Sequence, residues 1–194
     1  MVKPENPFLI PGTSWAMKDG FMPNWCEGSL KLKGKYKDIL RFWQEGVNAY
    51  SYSVDHNNER GTDLMPKEWY EIEEYEGSTL IANHIPSSCW IYIEGTKRAF
   101  IDDSFCSYDI FKDSSGKAIM TIPFKQAWTI QQHDWEEIAK KYNLEIKIYA
   151  IESGIGFYCS LHILSDGVLV ASNFYQTDKY EDFVWNCPFP WMGG

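Results

Sequence analysis

Two helical stripes, each joined without a break to an alternating stretch, constrain this chain more than any other feature. Tyr36, Ile39, Leu40 and Trp43 recur at i, i+3, i+4 and i+7 with Gly46 as a stop, and Trp135, Ile138, Ala139 and Tyr142 repeat the spacing. That spacing puts apolar side chains on one helix face, so helices are expected over Tyr36–Glu45 and Gln132–Tyr142. Around the second, Asp134, Glu136 and Glu137 near the start and Lys140 and Lys141 near the end complement the helix dipole. Thr129 and Gln132 have capping-box form, and Asn143 suits a left-handed stop. Before the first helix, Cys26–Lys33 places small or apolar residues at 26, 28, 30 and 32 against Glu27, Lys31 and Lys33. After the second, Leu144, Ile146, Ile148 and Ala150 alternate with Glu145, Lys147 and Tyr149. Both runs read as half-buried strands.

Further strands are expected at Thr79–His84, Cys89–Ile93 and Lys97–Ile101. Tyr108–Lys112 and Lys117–Phe124 flank Asp113-Ser114-Ser115-Gly116, and Phe157–Leu164 and Val168–Asn173 flank Ser165-Asp166-Gly167, so each pair reads as a hairpin. The stretch at 47–78 is rich in Asn, Asp, Glu and Tyr and reads as an acidic insertion with one helical piece after Pro66. Residues 1–21 form a proline-bearing extension, 22–177 the domain, and 178–194 an aromatic, proline-rich tail. Strand–helix–strand occurs twice with hairpins between and after. The fold class expected is α+β: a ferredoxin-like split βαβ sandwich, a mainly antiparallel sheet with two helices on one face, plus the insertion.

Composition narrows the functions. The 194 residues are 44% hydrophobic with a formal net charge of -9. The first figure suits a packed core, and the second argues against direct nucleic-acid binding, which uses clustered Lys and Arg. No apolar run reaches the roughly 20 residues that a membrane helix needs. Five cysteines at wide spacing offer no close ligand pair for zinc, so no metal and no cofactor are expected. Cys26 and Cys159 fall in alternating runs as small buried hydrophobes, and an odd thiol count with no secretion signal points to a reducing cytoplasm.

Met22-Pro23-Asn24-Trp25-Cys26-Glu27, then Gly95-Thr96-Lys97, then Phe124-Lys125-Gln126-Ala127-Trp128, then Glu152-Ser153-Gly154-Ile155-Gly156-Phe157 resemble, in order, landmarks of the YubB-like proteins of plasmids, phages and other mobile elements. The resemblance spans roughly 22–175 and implies a ferredoxin-like domain of unknown biochemical role. Glu94 and Arg98 stand where aromatics flank the Gly-Thr-Lys string in that pattern. Thr129-Ile130-Gln131 replaces its Ser-Pro-Pro.

No His pair, nucleophile elbow or phosphate cradle is present, since Glu152–Gly156 leads into a strand and not a helix. Catalytic residues are therefore expected to be none. Two readings follow. In the first, a non-enzymatic accessory protein of a mobile element acts by protein–protein contact. Its acidic patch of Asp55, Glu59, Asp63, Glu68, Glu71, Glu73, Glu74 and Glu76 docks on a basic host protein. The alternative is a small-molecule binding module or enzyme with a pocket near Trp25, Trp128, Glu152 and Phe157. A monomer or a homodimer fits either.

Overall fold

The computed structural model describes residues 24–54, 60–86, 89–102, 107–152 and 156–176, without the side chains of 52–61. The extension at 1–21, the tail at 178–194, Asp55, Glu59 and Ser153–Ile155 lie outside the described residues. The first strand, β1 (Trp25–Lys35), passes directly into α1 (Tyr36–Gly46) and then β2 (Val47–Val54). There follow β3 (Arg60–Leu64), a 3-10 turn at Lys67–Trp69, β4 (Tyr70–Tyr75), β5 (Ser78–Asn83), β6 (Cys89–Ile93) and β7 (Ala99–Ile101). The chain continues with β8 (Ser107–Lys112), β9 (Lys117–Ala127), α2 (Gln132–Tyr142), β10 (Glu145–Glu152), β11 (Phe157–Ile163) and β12 (Leu169–Gln176).

The strands form one 12-stranded sheet in the order β12-β11-β10-β1-β9-β7-β6-β2-β3, with β8, β5 and β4 as a branch from β9. Every pairing is antiparallel. The fork arises because β9 is long. One edge pairs with β1 from Lys117 to Ala127, while the other gives Ala118–Met120 to β8 and Phe124–Gln126 to β7.

This corrects the ferredoxin-like α+β expectation. Among the described residues the protein is mostly antiparallel β, in one large sheet with two helices. The strands adjoining the helices do not form a compact four-stranded layer, because β7 and β6 stand between β9 and β2. The acidic stretch supplies β2, β3 and β4 to that sheet, and its expected helical piece is a single 3-10 turn. Glutamate favours helix intrinsically, yet on β4, whose one partner among the described strands is β5, it faces solvent and blunts the sheet edge.

Alternation builds the core. Leu30 and Leu32 on β1, Ile122 on β9 and Ile146 and Ile148 on β10 are buried on the face that takes the helices. From α1, Ile39, Phe42 and Trp43 enter that core, and from α2, Trp135, Ile138, Ala139 and Tyr142. Each fully buried Leu or Ile contributes about 1.5–3 kcal/mol by transfer alone. The helices touch: Phe42 and Tyr142 pack edge to face at 5.4 Å, and the Arg41 guanidinium donates to the Lys141 carbonyl at 2.9 Å. Asn143 closes α2 in the left-handed region (φ 55°) while its side-chain amide donates to Asp38 at 3.1 Å. The expected capping box is absent. Gln131 is the N-cap and makes no side-chain cap bond, and the Gln132 amide donates to Glu136 instead. Gly28 is required where β1 meets β10: a Cβ there would lie 2.0 Å from the Tyr149 carbonyl oxygen.

Candidate functional site on the open face of the sheet

The helices cover one face, and the other carries aromatics. Phe100 on β7 is opposite Lys125 on β9 and Tyr92 on β6, and Trp90, two residues before Tyr92, is opposite Tyr50 on β2. Cys89-Trp90-Ile91-Tyr92-Ile93 strongly favours a strand and leaves neither face polar. Cys89, Ile91 and Ile93 enter the main core, while Trp90 and Tyr92 point away from it. Phe100, 3% exposed, is the hub of a second, smaller apolar cluster with Tyr50, Trp25 and Tyr92. Trp25 meets it edge-on at 5.8 Å, Trp90 edge-on at 5.5 Å and Tyr92 at 5.4 Å. Trp25, Trp90, Phe100, Ile101 and Lys125 enclose a concavity of about 210 Å³. The Lys125 ammonium stands 5.7 Å from the centre of the Trp25 ring, within cation–π range. Trp90 keeps 38% of its surface exposed, so the cluster is open to solvent on that side.

A polar margin adjoins the aromatics. Glu94 accepts from Asn48 Nδ2 and from the Tyr50 hydroxyl, both at 2.8 Å. Lys67 donates to Asn48 Oδ1 at 2.7 Å and to the Val47 carbonyl at 3.0 Å. Burial, then the bond to Glu94, pushes the Tyr50 hydroxyl well above the usual phenol range, so it is a fixed donor at physiological pH. Burial raises Tyr92 likewise and lowers Lys67. Behind Phe100, the loop before β7 is fastened at several points. Thr96 Oγ1 donates to the Ile93 carbonyl at 2.6 Å, the Lys97 amide donates to Asp134 at 2.7 Å, and Gln126 Nε2 donates to the Lys97 carbonyl at 3.1 Å.

The four residues expected to share a pocket are divided by the sheet. Cys26, buried on the helix side, is opposite Glu152, and Glu152 is opposite Phe157. Trp25 is the next residue along and lies on the other face. Glu152 is 2% exposed, and Phe157 packs on Phe174 at 4.7 Å. Trp128 sits near Trp25 through its backbone, whose amide donates to the Asn24 carbonyl at 2.8 Å, but its side chain does not line the concavity. It occupies a γ-turn at φ 71°, closed by Thr129 N–H to the Ala127 carbonyl, a strained conformation for so bulky a residue. The sequence reading missed Trp90, Phe100 and Lys125. The signal was there in the aromatics at 90 and 92 alternating with Cys89, Ile91 and Ile93.

Of the acidic patch, Asp63, Glu68, Glu71, Glu73, Glu74 and Glu76 are all exposed, four of them along β4 and the turn after it. Glu74 is bonded to Lys112 and to Tyr36, and the Lys112 ammonium holds its carboxyl below the usual range. Cys26 and Cys159 bring their sulfurs to 3.5 Å over the helix-side core, and their hydrogen bond together with burial keeps the Cys26 thiol protonated. Among the described residues no cluster of three or more His, Cys, Asp or Glu suits a metal ion, and no helix is long and apolar enough to cross a membrane. Compared with known proteins, the chain matches no protein-family model, no curated protein and no solved structure, so the likeness to the YubB-like proteins rests on the quoted strings alone.

Proposed function

We propose that this protein is a non-catalytic binding module that takes a flat aromatic group, preferably anionic, in the concavity between Trp25, Trp90 and Phe100. The convergence of three rings and the Lys125 ammonium on one small hollow in an otherwise open sheet face carries this reading. Flat rings supply contact area at low entropic cost, and the cation selects charge. A ring compound of about a dozen heavy atoms, at roughly 0.3 kcal/mol per atom, binds in the millimolar range. The test is an NMR titration of the Trp25 and Trp90 indole N–H signals with indole-3-acetate and with an uncharged indole. Expected are saturable shifts, tighter for the acid, weakened about ten-fold in Trp90→Ala. Indole signals that stay in place with both compounds refute the reading.

A second reading, contact with a basic protein, is favoured by the exposed Glu71, Glu73 and Glu76 at the β4 edge. It requires binding that weakens with salt and is lost on charge reversal at those positions. A cytoplasmic setting belongs to both readings and is supported by the free thiols of Cys26, Cys89 and Cys159.

A further inference from the structure

The net charge of -9 conceals a segregated basic surface. Lys31, Lys33 and Lys35 occupy alternate positions of β1 and are all exposed, so they line the open face at intervals of about 6.7 Å. Register sets Lys147 of β10 directly opposite Lys31, and Lys117 of β9 directly opposite Lys35. Like charges facing each other across a pair of strands destabilise it. None of these four lysines (31, 35, 117 and 147) makes an ion pair among the described residues; on this face only Lys33 does, with Glu145. The row ends in an open groove of about 650 Å³ whose lining includes Lys33, Lys35, Lys37 and Lys117 and one carboxylate, Glu145, which Lys33 neutralises. On the same face, the rings of Tyr149, Tyr158 and Tyr175 stand in a stacked file, with centroids 6.0 Å and 4.8 Å apart.

We infer that this face binds single-stranded nucleic acid. Four lysines without ion pairs, flanking the paired Lys33, suit a chain of phosphates, and the tyrosine file beside them ends in the half-exposed Tyr175, a ring on which a base stacks. A broad sheet face cannot enter a duplex groove, which admits a helix or a two-stranded ribbon. A single strand, with bases splayed onto aromatics of an open sheet, fits it. The inference goes beyond the aromatic-ligand reading and rests on other residues.

The test is fluorescence anisotropy of labelled oligo-dT and oligo-U, DNA and RNA as separate arms, with the intact protein. Binding in the micromolar range is expected. With four phosphates neutralised, the salt slope of a single strand is about 0.7 per phosphate, so affinity falls roughly 50-fold between 50 and 200 mM salt. Lys31→Glu lowers affinity at least ten-fold while leaving the melting temperature unchanged or raised, because it converts the repulsive pair with Lys147 into an attractive one. Tyr158→Ala weakens binding, and Trp90→Ala leaves it intact. The inference is overturned if neither oligonucleotide binds at about 100 µM protein in low salt. It is overturned also if duplex DNA or polyglutamate competes as well as oligo-dT, or if Trp90→Ala abolishes binding and Lys31→Glu does not.

Discussion

Replacing Gln126 by leucine tests how the helix-side core positions the aromatic face. Gln126 is fully buried; its side-chain oxygen accepts the Trp135 indole N–H at 3.1 Å, and its amide donates to the Lys97 carbonyl at 3.1 Å. Leucine of similar volume leaves both partners without a bond, and Trp135, fully buried on α2, cannot turn to water. An orphaned buried group costs about 1–3 kcal/mol, so two cost roughly 2–6. Better burial of leucine offsets part of this, leaving a net loss of about 2–3 kcal/mol. Urea denaturation followed by far-ultraviolet circular dichroism measures it, and the normal range of domain stability leaves the variant folded. A double-mutant cycle with Trp135→Phe isolates the indole bond, with an expected coupling of about 1 kcal/mol. Amide exchange at Lys97 should quicken in Gln126→Leu, since its carbonyl anchors the loop leading into Phe100. A loss below about 0.5 kcal/mol, or no coupling to Trp135, refutes the reasoning.

Two further outcomes are expected. Glu145 accepts from Lys33 at 3.0 Å and lies 2.8 Å from His162 Nε2, and the Lys33 bond foremost holds its carboxyl below the usual value of 4.5. A depressed carboxyl stabilises above its unfolded pKa and loses that contribution as pH falls through the lowered value. Glu145→Gln should therefore cost about 0.5–1 kcal/mol near neutrality in low salt, with the gap closing below pH 4.5 in denaturation curves; a pH-independent gap contradicts the assignment. In Gly28→Ala the new Cβ meets the Tyr149 carbonyl at 2.0 Å and Ala150 Cα at 2.7 Å, both backbone. The strands β1 and β10 must part, at a cost of about 4 kcal/mol or more, and a variant melting within about 3 °C of the parent rejects the argument.

What the sequence discloses here is what local periodicity determines. The stripes at Tyr36–Trp43 and Trp135–Tyr142 give both helices within a residue, because one apolar face must be buried whatever it packs on. Asp113–Gly116 and Ser165–Gly167 form the expected turns, since Asp113 and Asp166 accept from backbone amides two residues on and Gly116 and Gly167 adopt positive φ. Beyond these, partners distant in sequence decide. The strand β4 is legible only once β5 is known to lie beside it, and the fork at β9 follows from register, which no periodicity encodes. The expected pocket groups Trp25 with Glu152, but a two-residue repeat sends Trp25 to the face opposite Cys26 and Glu152. Lys31 and Lys33 are legible as the polar half of an amphipathic strand; that the strand runs on through Lys35, and that Lys147 and Lys117 oppose it, is not.

The place of β1 in the sheet bears on how the chain is made. Its strand partners are β9 and β10, so when everything through Ile101 has left the ribosome, β1 still has neither neighbour. Leu30 and Leu32 stay without their strand neighbours until Lys117–Ala127 emerges, so apolar surface of the first half stays uncovered during synthesis and β9 is the strand whose arrival licenses closure.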